Sequence, residues 1–231
     1  MYKLGKYKGS DKMSDLIADN YPMLLVVSRF GIPLGFGEKN ISEVCSENGV
    51  DDKTFLTVVN MQAEEHLVVE DIDQSISLPL LISYLHNAHD YFLEYRLPLI
   101  RRKLVDAIGG AKDVSVVIIR YFDEYVHAVR RHMMYEEETV FPYVRALLEG
   151  RAAQGYSIDV FRRKHDHVEV PLAELKNIII KYYSGSTTNE LVNALFDIFS
   201  TERDLASHNN IEDNLFVPAI AALESRRRDG K

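Results

Sequence analysis

The sequence predicts an all-α fold in which a small helical domain precedes an up-down-up-down four-helix bundle. From Leu78 onward, four long segments place apolar residues at alternating spacings of three and four, the pattern of a helix with one buried face. Short breaks near residues 106–113, 150–157 and 184–188 separate these segments. Because short connections join antiparallel neighbours, the four segments are expected to run alternately up and down.

The first 70 residues have a different pattern, with short helical stretches separated by glycine and proline. Asp51 or Asp52 is placed to cap the last stretch. The stretches cover residues 13–20, 22–30, 41–47 and 52 to about 69. The acidic, polar composition of residues 71–77 is typical of a linker. We therefore divide the chain into a small helical domain (1–70), a linker (71–77), the bundle (78–224) and a basic tail (225–231).

Composition and charge exclude several classes of function. The formal net charge of −8 argues against a nucleic-acid-binding protein. No stretch approaches the ~18 consecutive apolar residues that read as a membrane span. The first twelve residues lack the apolar core of a signal peptide, and the single cysteine, Cys45, fits a reducing compartment. We expect a cytoplasmic protein whose partners include neither nucleic acid nor membrane.

A repeated motif points to the functional site. The pattern His-x-x-x-Glu occurs twice, 76 residues apart, and an upstream histidine and a downstream proline repeat with the same offset. Positions i and i+4 of a helix lie on one face, so each pair directs an imidazole and a carboxylate at the same point. The repeated residues are His89, His132, Glu136 and Pro142 in the first copy, and His165, His208, Glu212 and Pro218 in the second.

The repeated histidines and glutamates interrupt apolar helix faces. A carboxylate buried without compensating charge is strongly unfavourable, so two buried glutamates require cations. Imidazole and carboxylate ligands without thiolate suit iron or manganese, and suit zinc less well. We predict a site for two iron ions, with the four histidines as terminal ligands and Glu136 and Glu212 as bridges. The alternative is an ordinary set of buried histidines bonded to glutamates, which the repetition disfavours.

Two further residues are candidate additional ligands. His86 lies three residues before His89, about 60° around the same helix. Glu169 forms a third His-x-x-x-Glu pair with His165, so it could bind metal or close an open coordination position. Pro171 is expected to kink this helix or to mark its start.

The motifs resemble the hemerythrin-like (HHE cation-binding) domain and, more narrowly, the RIC family of di-iron proteins for the repair of iron centres. The resemblance covers about residues 78–224 and extends, with weaker matches, to the first 60 residues. It implies a hemerythrin-like bundle with the same four histidine ligands and two bridging glutamates. The family's small N-terminal domain carries adjacent cysteines where this chain has Gly35 and Phe36.

The resemblance implies a non-haem di-iron protein that repairs iron–sulfur clusters under nitrosative or oxidative stress, with iron–sulfur proteins as partners. The missing Cys-Cys pair argues against a thiol-dependent step in iron delivery. Two alternatives stay open. One is a module that binds dioxygen or nitric oxide without turnover, and the other is a di-iron oxidoreductase. The sequence does not decide whether the chain is an enzyme.

Overall fold

The computed structural model describes residues 6–63, 76–108, 113–151, 155–164 and 170–229. Throughout these ranges the regular elements are helices, and the only β-type pairing among them is an isolated bridge between Lys12 and Asn40. The prediction of an all-α chain, with a helical bundle preceded by a small helical region, is therefore confirmed. Across the described part of the chain, no helix combines the length and apolar character needed to cross a membrane.

Two of the four helices in the N-terminal region begin at a side-chain cap. The side chain of Asn40 accepts a hydrogen bond from the Glu43 amide at 2.8 Å, and the Glu43 carboxylate accepts one from the Asn40 amide at 2.9 Å. This capping box starts α3. Asp51 accepts from the amide of Thr54 at 2.7 Å, so Asp51 is the cap of α4. The four helices are α1 (Met13–Asp19), α2 (Met23–Arg29), α3 (Ile41–Glu47) and α4 (Asp52–Ala63).

The remaining helices follow the four periodic segments of the sequence. Three of these segments contain a π-helical turn, in which the backbone hydrogen bonds span five residues. The α-helices are α5 (Leu78–Asp90), α6 (Leu97–Ile108), α7 (Asp113–Tyr135), α8 (Phe141–Leu148), α9 (Ile158–Lys164), α10 (Val170–Tyr182), α11 (Asn189–Ile211) and α12 (Val217–Asp229). The π-helical segments are π1 (Tyr91–Arg96), π2 (Glu136–Val140) and π3 (Glu212–Phe216).

The chain forms two compact units. One comprises Met1–Ala88, Tyr143–Arg162 and Asn210–Lys231, and the other comprises His89–Pro142 and Arg163–Asn209. The proposed boundaries at residues 70 and 77 stay a prediction, and most of the proposed linker lies outside the described residues.

In the first unit, the N-terminal helices pack against the beginning of α5. The ring of Phe30 lies 5.1 Å from that of Phe55 and 4.8 Å from that of Tyr84 on α5. The side chain of Asn87 donates to the carbonyl of Arg29 at 2.8 Å. An apolar core and specific polar contacts therefore join the small helical region to α5.

In the second unit, the segment from His89 to Ile108 runs antiparallel to α7. Arg101 pairs with Asp123 at 2.6 Å, and Glu94 pairs with Arg130 at 3.3 Å. Residues later in one segment therefore meet residues earlier in the other. This is the alternation of direction that short connections predict.

The same segment is antiparallel to α11. Arg96 donates to the hydroxyl of Thr201 at 2.8 Å and pairs with Asp197 at 3.1 Å, while the ring of His89 lies 5.2 Å from that of His208. Arg96 is thus paired with an aspartate on the facing helix.

Each π-helical segment ends just before a proline. In an α-helix, the proline ring would clash with the carbonyl four residues earlier, and proline has no N–H to donate. The wider π turn accommodates both the proline ring and the missing N–H. Its closing bonds run from Leu97 to Phe92, from Phe141 to Glu136 and from Val217 to Glu212. The prolines that follow are Pro98, Pro142 and Pro218. Pro142 and Pro218 belong to the sequence repeat, but the helical periodicity does not predict the π turns.

Candidate metal centre

Four buried side chains gather at one point in the structure. Each offers one ligand atom, and these atoms all lie within 4.8 Å of one another. All four side chains belong to the predicted ligand set, and each is at most 2% exposed. They are His89, Glu136, His208 and Glu212.

A second histidine lies against the carboxylate of Glu136. Nε2 of His132 is 2.9 Å from Oε1 of Glu136, and Nε2 of His89 is 3.1 Å from Oε2. The two oxygens of one carboxylate are thus flanked by two imidazole nitrogens. Both oxygens are buried, and neither accepts a hydrogen bond of good geometry from the described residues. Imidazole nitrogens and carboxylate oxygens that converge in a buried site are arranged as they would be around a cation.

The helices place the two glutamates identically. Glu136 is the first residue of π2 and Glu212 is the first residue of π3. In each case the backbone carbonyl of the glutamate accepts the hydrogen bond that closes the π turn. A π turn inserts one residue into a helix and often marks a functional site. The repeated sequence motif therefore corresponds to a repeated backbone feature.

Aromatic rings enclose the histidines. The ring of His89 is stacked on that of Phe141, with centroids 5.7 Å apart and planes 5° apart. The ring of Phe92 meets His208 edge to face at 5.9 Å. These rings limit the water around the site, and electrostatic interactions are stronger where water is scarce. The site therefore favours a bound cation between its carboxylates.

Glu137 makes a contact that the sequence pattern does not predict. Its Oε1 lies 2.7 Å from Nδ1 of His89, the ring nitrogen opposite the one near Glu136. The available signal was that an acidic residue follows the motif glutamate in both copies, at Glu137 and Asp213. This pattern does not identify His89 as the partner of Glu137, because the two residues lie 48 positions apart in sequence.

The structure does not place every candidate ligand. His165 and Glu169 lie outside the described residues. His86 is exposed and is not one of the four clustered residues. Pro171 is the second described residue of α10, and the residues directly before Val170 lie outside the described ranges, so the prediction for Pro171 stays a prediction. His165, Glu169 and His86 thus stay predictions as ligands.

The chemistry of the clustered side chains fits a metal ion. The donors are imidazole nitrogens and carboxylate oxygens, with no sulfur among them. Two carboxylates enclosed by apolar rings need positive charge nearby. Nitrogen and oxygen donors of this kind suit divalent first-row metals. The cluster can therefore hold a cation, whose positive charge would compensate the two carboxylates.

Comparison with known proteins agrees with this geometry. The model of the hemerythrin HHE cation binding domain matches residues 80–220, a range that contains all four clustered residues and His132. Comparison with curated proteins finds no match. The matched range covers more than half of the chain. This protein therefore belongs to the hemerythrin HHE cation-binding domain family.

Proposed function

We propose that this chain is a non-haem di-iron protein whose buried cluster binds two iron ions and admits a small diatomic ligand, dioxygen or nitric oxide. The observation that carries the proposal is the convergence of His89, Glu136, His208 and Glu212 within 4.8 Å. His132 joins them through its contact with Glu136. The sequence repeat adds His165 as the fourth histidine.

We propose iron as the bound metal, because iron suits this donor set. Sites with imidazole and carboxylate ligands commonly hold non-haem iron and leave coordination positions open. Bound iron would supply a redox-active centre with room for one small ligand. The chain itself would bind the metal, compensate its charge through Glu136 and Glu212, and limit water through Phe92 and Phe141.

The cellular role proposed here is the response to nitrosative or oxidative stress, including repair of iron–sulfur clusters in the cytoplasm. The resemblance to the RIC family supports this role. The only thiol, Cys45, cannot act as an iron ligand during transfer. It is fully buried in α3, and burial raises its pKa to about 12. A protonated thiol is a poor metal ligand, so repair would depend on the histidine and glutamate cluster alone.

Iron loading tests the metal assignment. Purified protein loaded anaerobically with Fe(II) should retain two iron ions per chain after desalting. Glu136→Ala and Glu212→Ala should each retain well below two, because each removes a proposed bridge. Glu138→Ala is the matched control, since Glu138 is an exposed neighbour of the site. Full iron content in both bridge variants would contradict the assignment.

Ligand and turnover measurements separate the three functions. Reversible spectral changes with dioxygen or nitric oxide, without consumption, would indicate a binding module. Sustained consumption of nitric oxide or peroxide with an added reductant would indicate an oxidoreductase. Restoration of a nitric-oxide-damaged [4Fe–4S] protein by iron-loaded wild type, but not by Glu136→Ala, would support the repair role. Failure of iron-loaded wild type to restore it would count against that role.

A further inference from the structure

We infer that Glu137 is a positioning residue of the metal centre, which orients His89 and strengthens it as a ligand. This inference rests on the proposed metal-binding function. It assigns to Glu137 a role that differs from that of its neighbour Glu136, although both are acidic and both belong to π2.

The two ring nitrogens of His89 face two different carboxylates. Nδ1 lies 2.7 Å from Oε1 of Glu137, and Nε2 lies 3.1 Å from Oε2 of Glu136. A neutral imidazole has one N–H and one lone pair, and the partner of one nitrogen selects the state of the other. When Nδ1–H donates to Glu137, Nε2 keeps the lone pair that binds metal.

Three residues from one short stretch hold the His89 ring. Glu136 and Glu137 contact its two nitrogens, and Phe141 stacks on its face with planes 5° apart. Consecutive helical residues project in different directions, so adjacent glutamates reach different edges of the ring. The ring is thus fixed in orientation as well as in position. A half turn of the ring about the Cβ–Cγ bond would move Nδ1 away from Glu137 and lose this hydrogen bond.

The negative charge of Glu137 strengthens His89 as a ligand, in addition to the effect of orienting its ring. A carboxylate that accepts from the distal N–H of a metal-bound histidine increases the basicity of the donor nitrogen. A glutamine at the same position could accept a hydrogen bond but would lack the negative charge. The Glu137 side chain is 21% exposed, so solvent reaches it while His89 stays buried. It can therefore act on the buried ligand from the edge of the site.

Substitution of Glu137 by glutamine separates the effect of its negative charge from the effects of packing and of the hydrogen bond. Cobalt(II) is a suitable probe, because its visible absorption bands respond to ligand strength. Affinity is measured by competition with a chelator. We expect Glu137→Gln to weaken Co(II) binding by about 10- to 100-fold, the usual effect of removing such a partner. The visible bands should also shift. Glu138→Gln, one residue away and exposed, is the matched control and should change neither quantity.

Two results would overturn the inference while leaving the metal function intact. The first is that Glu137→Gln binds Co(II) with wild-type affinity and an unchanged spectrum. The second is that Glu138→Gln weakens binding as much as Glu137→Gln does, which would indicate a general charge effect. If wild type itself bound neither iron nor cobalt, both the metal function and this inference would fail.

A measurement on the wild-type protein keeps the test independent of any variant's folding. In Zn(II)-loaded protein with ¹⁵N-labelled histidine, NMR distinguishes the protonated ring nitrogen from the coordinated one. The inference requires His89 to carry its proton on Nδ1 and to coordinate through Nε2. Coordination through Nδ1 would contradict it.

Discussion

At the scale of one residue, Glu224 shows that a buried carboxylate needs hydrogen-bond donors. Its carboxylate is only 8% exposed, and one oxygen accepts from the Tyr143 hydroxyl at 2.5 Å and from the Ile158 amide at 2.8 Å. Burial and this hydrogen bond raise the pKa of Tyr143 above the usual range of a tyrosine. The hydroxyl therefore stays protonated and continues to donate.

Removing that hydroxyl should be costly. Tyr143→Phe leaves the buried carboxylate with one donor fewer, and hydrogen bonds to charged groups contribute about 1.5–3 kcal/mol. We expect the free energy of unfolding to fall by about that amount in urea titrations. Tyr95→Phe is the control, because Tyr95 is 59% exposed. Equal midpoints for wild type and Tyr143→Phe would show that the bond contributes nothing.

The sequence could predict individual residues only where their spacing carried information. The interval of four within each motif placed Glu136 beside His132, and the structure confirms that contact at 2.9 Å. Glu137 and Glu224 were not predictable, because their partners lie 48 and 81 residues away in sequence. Long-range partners depend on how helices pack, and packing is absent from local periodicity.

At the scale of helices, the π turns are the feature that periodicity could not anticipate. Apolar spacings of three and four fit an α-helix, and one inserted residue changes that pattern too little to detect. The helices themselves were predictable, and α3 has the predicted bounds. Prolines inside long helical segments were the available sign. Proline ordinarily ends or kinks a helix, so its presence there requires a local change in hydrogen bonding.

Pro142 should favour the π form over a straight helix. The straight α-helix is unfavourable there by roughly 3 kcal/mol while proline is present. In Pro142→Ala that penalty disappears, and a competing α-helical form would displace Glu136 from its place at the start of π2. We expect metal affinity to weaken by as much as about 100-fold, given 1.4 kcal/mol per factor of ten.

The control for this substitution is Pro79→Ala. Pro79 is also exposed and lies in the first turn of α5, where no π turn follows directly. Chelator competition on both variants isolates the effect of the π turn from the general effect of losing a proline. Equal affinities in the two variants would show that proline does not maintain π2.

At the scale of the whole molecule, several groups make stability depend on alkaline pH. Burial, with Asp52 and Asp51 nearby, raises the pKa of Cys45 from 9.0 to about 12. Burial and the hydrogen bond to Glu174 raise the pKa of Tyr121 from 10.0 to about 12. Each group holds its proton more tightly in the folded chain than in the unfolded chain. Its contribution is therefore complete below the unfolded pKa and is lost as pH rises towards the folded pKa.

The order of these pKa values gives a specific expectation. Wild-type stability should begin to fall above about pH 9, with a slope of at most about 1.4 kcal/mol per pH unit for each group. In Cys45→Ala the decline should begin nearer pH 10, where tyrosine ionises in the unfolded chain. Urea titrations between pH 8 and pH 11 measure both slopes. Identical slopes between pH 9 and pH 10 would rule out the thiol as their cause.

The fold class was predictable for the whole molecule because the apolar pattern extends over four long segments. Family membership was predictable from the same residues that form the cluster, since the match spans residues 80–220. The division of the chain into domains was harder to predict from the sequence. A change in composition near residue 70 suggests a linker, but the packing of Phe30 on Tyr84 joins the N-terminal helices to α5.

The enclosure of Cys45 gives the protein a built-in probe of its own motions. This thiol is the only one in the chain and has no exposed surface. A thiol reagent in solution can reach it only when α3 separates from its neighbours, so each labelled molecule records one opening. The labelling rate, compared with that of a free thiol, gives the free energy of that opening. Any slowing of labelling after iron is added would measure how far metal binding restrains the N-terminal helices.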